Sequence, residues 1–540
     1  MDLKRSQRME NTMRAKISVI GLITITAAAL AANAPNGVRW WSYVEFLASD
    51  KLEGRNTGSE GHRQAAEYVA AQFERDGLKP AGEQGYIQPV KLNALQLDES
   101  KSSLSLERNG KEQPMKLGEN AIIGTRVDPA PSVEAGLVFV GYGLRASESN
   151  YDDFAGLDTK GKIAVYIGGG PGSMSSALAA HYQSAGQRWL NLKNAGMIGA
   201  VSIQNPHHMD IPWPRVASNR FQMTMQLAAP GMNETAGEQI AVTWNPAHAD
   251  ELFAGTGHTF DDLIAIAEAG KQLPRFAIPA KLIAKTKVTR GQVESQNIAA
   301  IHPGADPKLN SEYVVMSAHI DHLGIGKPID GDSINNGAMD NAAGVASVLE
   351  VADHFKEAQV KTKRSVLFVV VTGEEKGLLG SQYYTAKPTV PVKSLVADIN
   401  TDMFLPLYPL KIMTVYGLDE STVGDDVRAT AQQMGIKVQP DPEPVRNVFI
   451  RSDQYNFIRH GVPSVMLAFG NEKGSKEDAI EKKWLAERYH APSDDLNQPV
   501  DKQAAGTFNV FVERLIERLA NSDARPLWKP NSFFRRYAND

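Results

Sequence analysis

The sequence has no cysteine among its 540 residues. The chain can therefore form neither disulfide bonds nor a lipid anchor on a cysteine, and its stability has to come from core burial and from bound metal. A strong positive charge is missing too, because the formal net charge is −5. This balance argues against nucleic acid as a partner.

The apolar run near the N-terminus, residues 17–32, is shorter than the roughly 20 residues that a membrane-spanning helix needs. Five lysine or arginine residues precede it, and Ala32-Asn33-Ala34 supplies the small-x-small pattern of a cleavage site. We predict a signal peptide that is cut near Ala34, an exported protein that is periplasmic or secreted, and no stable membrane insertion afterwards. An uncleaved anchor is the alternative.

A phosphate-binding loop is also absent. The glycine-rich run at residues 168–172 lacks the Lys-Ser or Lys-Thr pair that follows the glycines of a P-loop. We therefore predict that this run forms a turn.

The second half of the chain does contain a set of metal-binding side chains. Two histidines and three carboxylates lie in order along it: His319, Asp340, Glu375, Asp402 and His490. Such a set can hold two zinc ions that share one carboxylate and leaves a position on each ion for water. Two Zn²⁺ ions balance the charge of three carboxylates and one hydroxide, so the cluster can be buried without a large solvation cost.

Short β-branched runs at residues 313–316, 365–371 and 395–399 come directly before several of these residues. Continuous apolar runs that alternate with helical patterns predict an α/β fold with a parallel or mixed sheet, covered by helices on both faces. Ligands gather at the carboxyl ends of the strands in such sheets. Asp340 instead opens a helical pattern, and His490 lies in a predicted loop.

Six strings in this half resemble those of a known family. They are SAHIDHLG (317–324), GAMDNAAGVA (337–346), TGEEKGLLGS (372–381), NTDMF (400–404), RSDQYNFIRHGVPS (451–464) and YHAPSDDL (489–496). In this order they resemble the co-catalytic zinc aminopeptidases related to glutamate carboxypeptidase II, and no ligand is missing. Residues 46–82 are similar to the helical N-terminal segment of that family. The resemblance implies a zinc exopeptidase fold with a mixed, mostly parallel central sheet.

The resemblance also implies how the ligands are shared. His319 and Asp402 would bind one zinc ion, Glu375 and His490 would bind the other, and Asp340 would bridge both. Two Zn²⁺ ions per chain are expected, although Co²⁺ or Mn²⁺ would suit the same ligand types.

Further residues receive roles from the same resemblance. Glu374 would be the general base, and Tyr489 would donate a hydrogen bond to the oxyanion. Asp321 would accept the second N–H of the His319 imidazole. His322 is expected to be structural. The peptide bond between Asp340 and Asn341 is expected to be cis.

The loop after His490 contains two further acids. Asp494 and Asp495 are expected to be loop or helix-cap residues, and the alternative is that one of them supports His490.

Residues 128–291 resemble the protease-associated domain that is inserted in these peptidases, and this stretch adds no ligand to the set. We predict that it caps the cleft and limits substrate size. The predicted boundaries are a signal peptide at 1–34, the catalytic domain at 35–127 and 292–525, the cap domain at 128–291, and a polar tail at 526–540.

These features predict a metal-dependent exopeptidase that acts on peptides, with an aminopeptidase as the leading interpretation. A carboxypeptidase or dipeptidase on the same fold is the alternative, and it would need a positive pocket that Arg446 or Arg451 could supply. A glutaminyl cyclase and a non-catalytic, receptor-like homologue are weaker alternatives. The sequence leaves the oligomeric state and the side-chain preference open.

Overall fold

The computed structural model of the chain describes residues 37–538. The predicted signal peptide, residues 1–34, lies outside this range and stays a prediction. Within the described range, no helix combines the length and the apolar content that crossing a membrane requires.

The strands follow one another along the chain with these bounds: β1 (Lys79–Pro80), β2 (Ile87–Leu97), β3 (Ser103–Arg108), β4 (Lys111–Met115), β5 (Ala121–Gly124), β6 (Ser132–Phe139), β7 (Arg145–Ala146), β8 (Tyr151–Asp152), β9 (Ile163–Ile167), β10 (Gly199–Ile203), β11 (Thr224–Leu227), β12 (Ile240–Trp244), β13 (Phe276–Lys285), β14 (Val288–His302), β15 (Tyr313–His319), β16 (Gly324–Ile329), β17 (Asp332–Asn335), β18 (Ser365–Val371), β19 (Leu395–Asn400), β20 (Ile412–Tyr416), β21 (Lys437–Gln439) and β22 (Ser464–Gly470).

The α-helices have these bounds: α1 (Val38–Leu47), α2 (Glu60–Arg75), α3 (Ser176–Gln183), α4 (Ala185–Asn194), α5 (Trp213–Ser218), α6 (Asp250–Phe253), α7 (Phe260–Glu268), α8 (Ala343–Glu357), α9 (Leu379–Ala386), α10 (Val423–Met434), α11 (Gln454–Arg459), α12 (Lys476–Glu487) and α13 (Lys502–Asn521). Shorter turns that matter for the site are the 3₁₀ turns Asp50–Arg55, Pro444–Arg446 and Val448–Ile450 and the π turn Ala338–Ala342.

The main sheet has ten strands, ordered β11-β2-β14-β18-β15-β19-β22-β20-β21 with β1 beside β14. Its four central strands, β18, β15, β19 and β22, are parallel to one another. On one side β14 pairs antiparallel with β18 and with β2, and on the other side β20 pairs antiparallel with β22. All seven residues of β18 are buried, which explains its continuous apolar sequence. The predicted α/β architecture with a mixed sheet is confirmed, and the parallel part is its centre.

A second sheet of eight strands has the order β4-β3-β13-β6-β9-β10-β12-β5. We call residues 98–287, which contain it, the inserted unit, and we call the described residues on either side the main domain. Each has its own apolar core. One strand of the inserted unit, β11, leaves this sheet and pairs with β2 at the edge of the main sheet.

The structure moves the predicted boundaries of the insertion. Strands β3, β4 and β5 were expected in the catalytic part, but they belong to the second sheet. The predicted end at residue 291 falls inside β14, a 15-residue strand that pairs along its length with β2. Strand patterns look alike on both sides of these points, so periodicity alone could not place them.

The end of the chain differs from a polar tail. In the described part of that segment, Trp528 and Phe534 are buried and pack with Phe449, Tyr455 and Ile458 of the main domain. The many charged and polar neighbours in the sequence hid these two aromatic anchors.

Candidate active site

The candidate site lies in a cavity of about 520 Å³ at the carboxyl ends of the central parallel strands. Its wall includes five of the predicted site residues, namely Asp340, Glu374, Glu375, Asp402 and His490. Gln183, Ser184 and Ala185 of the inserted unit line the same cavity. The inserted unit therefore forms part of the wall.

Three adjacent parallel strands, β18, β15 and β19, bring the site residues together at their carboxyl ends. His319 is the last residue of β15 and lies opposite Val371, the last residue of β18. Glu374 and Glu375 follow β18 after two residues, and Asp402 follows β19 after one residue. The predicted convergence at the carboxyl ends is what the structure shows.

One group of ligand atoms forms around His319. Its Nε2 lies 3.2 Å from Asp402 Oδ1 and 3.4 Å from Asp340 Oδ1. All three side chains are buried, and their ligand atoms are close enough together to hold one ion. Two carboxylates and an imidazole are donors that zinc accepts.

A second group forms on the other side of Asp340. His490 Nε2 lies 3.2 Å from Asp340 Oδ2 and 3.4 Å from Glu375 Oε2. Asp340 thus presents one oxygen to His319 and the other to His490. This is the arrangement that a carboxylate shared between two ions requires.

The local charges favour bound cations. Burial alone would lower the pKa of His319, but the carboxylates of Asp402, Glu374 and Asp340 raise it well above its usual range. Several acids close to buried imidazoles create a negative potential that a metal ion can neutralise. The side chains present therefore fit zinc, both in donor type and in charge.

His322 is closer to this site than the sequence indicated. It is fully buried, and its Nδ1 lies 2.7 Å from Glu375 Oε1 and 3.8 Å from Asp340 Oδ2. With these two acids it forms a further group that could hold an ion. Neither ring nitrogen of His322 has a hydrogen bond of good geometry, nor does Glu375 Oε1. Such buried unpaired atoms fit the coordination of a cation.

Asp321 supports the site in a different way from the one expected. Its backbone carbonyl, rather than its carboxylate, lies 3.1 Å from His319 Nδ1, and the carboxylate oxygen is 3.9 Å away. The carboxylate instead accepts from Thr57 Oγ1 at 2.7 Å and from the Glu374 backbone N–H at 3.1 Å. Asp321 therefore orients both the imidazole and the loop that carries the predicted base.

The Asp340 loop is held by Asp494. The Asp494 carboxylate accepts from the backbone N–H groups of Met339 and Asp340 at 2.9 and 3.0 Å. The Asp340–Asn341 peptide bond is cis, as expected. A Cβ on Gly337 would lie 2.2 Å from the Asp340 carbonyl oxygen, so only glycine fits there. Asp494 thus supports Asp340 and not His490.

Arg55 holds the other side of this loop. Its guanidinium is fully buried and donates to the carbonyl oxygens of Asn336 and Gly337 at 2.7 and 3.0 Å, and of Ile320 at 2.9 Å. Because Ile320 follows His319, a single arginine ties two ligand-bearing segments together. Its charge also offsets part of the negative charge of the site.

Glu374 lines the cavity beside the ligands. Burial, with the nearby carboxylates of Glu375 and Asp402, raises the pKa of Glu374 well above its usual range. A carboxylate with raised basicity suits general-base chemistry.

Tyr489 faces the same cavity, and its ring packs on His490 with ring centres 3.9 Å apart. Its hydroxyl accepts from Arg451 Nη2 at 3.1 Å and keeps its own proton for donation. His490 itself has a positive φ of 54°. This unusual backbone conformation helps to turn its imidazole toward Asp340.

The two arginines that could form a carboxylate pocket are already paired. Arg446 Nε donates to Asp210 Oδ1 at 2.8 Å, and Arg446 also lies 3.5 Å from Glu443. Arg451 pairs with the other oxygen of Asp210. Two acids thus neutralise the two guanidinium groups.

The five predicted ligand residues lie together around Asp340, whereas His322, which was expected to be structural, forms a further group with Asp340 and Glu375. The sequence missed Arg55, Thr57 and Asp210, and it led us to expect a loop or helix-cap residue at Asp494, whose carboxylate instead holds the Asp340 loop. Arg55 and Thr57 lie in the similar N-terminal segment, which was a usable signal, whereas nothing local marks Asp210.

The chain is similar to known peptidases. A family model described as Peptidase family M28 matches residues 297–516, a range that contains the five ligand-type residues and Glu374. Carboxypeptidase Q from Xenopus laevis is 23% identical over 412 residues, which cover 75% of this chain and 73% of that protein. A probable leucine aminopeptidase 2 from Aspergillus oryzae is 27% identical over 284 residues, which cover 49% of this chain and 52% of that protein.

A solved structure shows the same fold over nearly the whole chain. An aminopeptidase from Aneurinibacillus sp. strain AM-1 aligns with a TM-score of 0.55 at 19% identity, over 93% of this chain and 97% of that chain. The predicted fold class is therefore confirmed.

Proposed function

We propose that this chain is a metal-dependent peptidase that removes single residues from the N-termini of peptides with the help of two zinc ions. The match of residues 297–516 to the model described as Peptidase family M28 supports the peptidase part of this proposal. In this proposal His319 and Asp402 hold one ion, Glu375 and His490 hold the other, and Asp340 is shared. The observation that carries the proposal is Asp340, whose two oxygens face two different histidines.

The ions, when bound, polarise the scissile carbonyl and make water more acidic. The chain's own residues do the rest. Glu374 takes a proton from the attacking water and later passes it to the leaving amine, which needs a carboxylate within reach of both. The Tyr489 hydroxyl donates to the carbonyl oxygen as negative charge develops on it.

The charges at the cavity support an aminopeptidase over a carboxypeptidase. A free α-amine is positive, and the carboxylates of Asp340, Glu374 and Asp402 on the wall attract it. A C-terminal carboxylate would need an unpaired cation, but Arg446 and Arg451 are engaged by Asp210. A pocket neutralised in this way gains little from a second carboxylate.

The test compares matched substrates. Aminoacyl nitroanilides and free dipeptides should be cleaved, whereas N-blocked dipeptides with a free carboxylate should not. Cleavage of the N-blocked substrates alone would favour the carboxypeptidase alternative, and cyclisation of N-terminal glutamine without peptide cleavage would favour the glutaminyl cyclase. The matched control is Glu374→Gln in the same preparation, which removes the proposed base and exposes any contaminating peptidase.

The inserted unit supports a limit on substrate size, because Gln183 and Ser184 close one side of the cavity. In a series of peptides that share the same N-terminal residue, we expect kcat/KM to fall as the peptides become longer. A flat profile would contradict this part of the proposal.

Export through the predicted signal peptide is also part of the proposal. It is supported by the basic N-terminus, the apolar run at 17–32 and the small-x-small site at Ala32 to Ala34. N-terminal sequencing of the mature protein should start near residue 35. A mature chain that keeps residues 1–34 would favour the uncleaved anchor.

A further inference from the structure

The inserted unit reaches Tyr489 through a chain of polar contacts. Asp210 lies in the loop after β10 and pairs with Arg451 of the main domain. Arg451 in turn donates through Nη2 to the Tyr489 hydroxyl at 3.1 Å. A carboxylate of one unit is thus linked through one guanidinium to the proposed oxyanion donor of the other.

A second contact holds the backbone of the same tyrosine. Arg215, on α5 of the inserted unit, donates from Nη1 to the Tyr489 carbonyl oxygen at 2.7 Å and from Nη2 to the Ala486 carbonyl oxygen at 3.0 Å. Arg126 of the inserted unit donates to the Glu375 carbonyl oxygen at 2.9 Å. The contacts of the inserted unit therefore converge on segments that carry site residues.

The pair at Asp210 is protected from water. The side chains of Asp210 and Arg446 are 12% and 18% exposed, so their hydrogen bond is stronger than that of a typical surface pair. In the described part of the chain, Asp210 is the only carboxylate within ion-pair distance of Arg451. Without it, the 40% exposed guanidinium of Arg451 would be free to turn away from Tyr489.

We propose that Asp210 is a positioning residue for the active site and acts through Arg451 on the Tyr489 hydroxyl. The inserted unit then helps to set the geometry of catalysis in addition to covering the cavity. This inference rests on the proposed role of Tyr489 as oxyanion donor, and the experiments below separate the two.

The first experiment is a double-mutant cycle on steady-state kinetics. Asp210→Asn should lower kcat about tenfold and leave KM within about twofold, because a displaced donor weakens transition-state contacts more than ground-state binding. In a Tyr489→Phe background the same change should have no further effect, since the hydroxyl through which Asp210 acts is gone. Asp210→Glu should restore part of kcat.

Glu234→Gln is the matched control for this cycle. Glu234 forms another ion pair between the two units, with Arg459, and does not contact Tyr489. Its effect on kcat, whatever its size, should multiply with that of Tyr489→Phe. If the effects of Asp210→Asn and Tyr489→Phe also multiply, the inference is overturned. If Asp210→Asn folds poorly, Arg451→Lys is the substitute, because it breaks the same link from the main domain. It should give the kinetic result expected of Asp210→Asn.

The second experiment needs no activity. The protein is labelled with 3-fluorotyrosine, and the ¹⁹F NMR signal of Tyr489 is identified by its loss in Tyr489→Phe. Asp210→Asn should shift or broaden this signal, and Glu234→Gln should leave it in place. An unchanged signal in Asp210→Asn would overturn the inference. If Tyr489→Phe keeps full kcat while the signal responds to Asp210→Asn, the oxyanion role fails and the positioning of the hydroxyl by Asp210 stands.

Discussion

The main sheet and the inserted sheet both contain four adjacent parallel strands, which are β18, β15, β19 and β22 in one and β6, β9, β10 and β12 in the other. Among residues 37–538, the groups of side chains that could hold a metal lie only at the main sheet. In the inserted sheet, Gly168 follows β9, Gln204 follows β10 and Asn245 follows β12, so no acid or histidine follows these three strands directly. The carboxyl ends of parallel strands thus provide a suitable place for a metal site. The residues that follow the strands decide whether such a site forms there.

The two units also differ in how they treat buried acids. In the main domain, Asp494 receives two backbone N–H groups, and Asp321 receives one N–H and one hydroxyl. In the inserted unit, Glu238 is 8% exposed, and no donor to its carboxylate is found in the described part of the chain. Burial raises the pKa of all three carboxyl groups. Hydrogen bonds to Asp321 and Asp494 oppose this rise, whereas nothing comparable opposes it at Glu238.

The largest expected effect comes from the base at the main sheet. Glu374→Gln keeps the size of the side chain and removes its ability to take a proton, so kcat should fall about 10³-fold. Zinc content should stay the same because Glu374 is not among the proposed ligands. Glu134→Gln, an exposed acid of the inserted sheet paired with Lys281, is the matched control and should keep activity. A Glu374→Gln enzyme with both ions and full kcat would remove the base assignment.

The next effect tests whether support of the Asp340 loop matters as much as the ligands themselves. Asp494→Ala leaves two buried N–H groups without an acceptor and frees the segment that carries Asp340. Zinc affinity should fall about 100-fold for both ions, because Asp340 is shared. The measurement is zinc titration of the metal-free protein against a competing chelator.

The control for this variant is the neighbouring acid. The Asp495 carboxylate accepts from Asn497 and lies 4.0 Å from Arg488, and both contacts are local, so Asp495→Ala should bind zinc as the parent protein does. Equal loss in both variants would mean that the loop as a whole, and not the Asp494 contact, sets the affinity.

The ligand residues could be predicted from the sequence, whereas Asp210 could not. The ligands could be found because each follows a recognisable strand or opens a recognisable motif, and strand order brings such positions together. Asp210 could not be found, since it pairs with Arg451 over a separation of 241 residues and no periodicity links the two. Contacts between the inserted unit and the main domain depend on the folded surfaces of both units, which local sequence patterns do not describe.

Asp321 shows a different limit. The family resemblance implied that the Asp321 carboxylate accepts from the His319 imidazole, but the backbone carbonyl of Asp321 makes that contact. Sequence spacing brings a residue near its neighbour, whereas the choice between carbonyl and carboxylate depends on Thr57 and the Glu374 N–H, which attract the carboxylate elsewhere.

A smaller effect is expected at His322. Its Nδ1 lies 2.7 Å from the Glu375 oxygen that faces away from His490. His322→Leu should weaken binding of one of the two ions about tenfold, because Glu375 loses the neighbour that fixes its orientation, and the ion held by His319 and Asp402 should bind as before. Zinc titration with two resolved steps measures this.

His322→Asn is the conservative partner of that variant. Its amide group can place a polar atom near Glu375 as Nδ1 does, so affinity should be largely restored. If His322→Leu binds both ions with the affinity of the parent protein, His322 is a structural residue, as the sequence first indicated.

The smallest expected effect concerns the inserted unit. It is a gain in stability, whereas the preceding variants lose activity or zinc affinity. Burial raises the pKa of Glu238 to about 8, so between the pKa of the unfolded chain and pH 8 the native state keeps a proton that the unfolded state has lost. The free energy of unfolding therefore falls as pH rises through this window.

Glu238→Gln removes this dependence and should stabilise the protein by on the order of 1 kcal/mol at pH 8, with little effect at pH 5. Urea unfolding of the zinc-loaded protein at both values measures it, with Glu134→Gln as the exposed control that should show no such difference. An equal shift at pH 5 and pH 8 would mean that Glu238 is charged in the native state, and the contrast between supported and unsupported acids in the two units would then be lost.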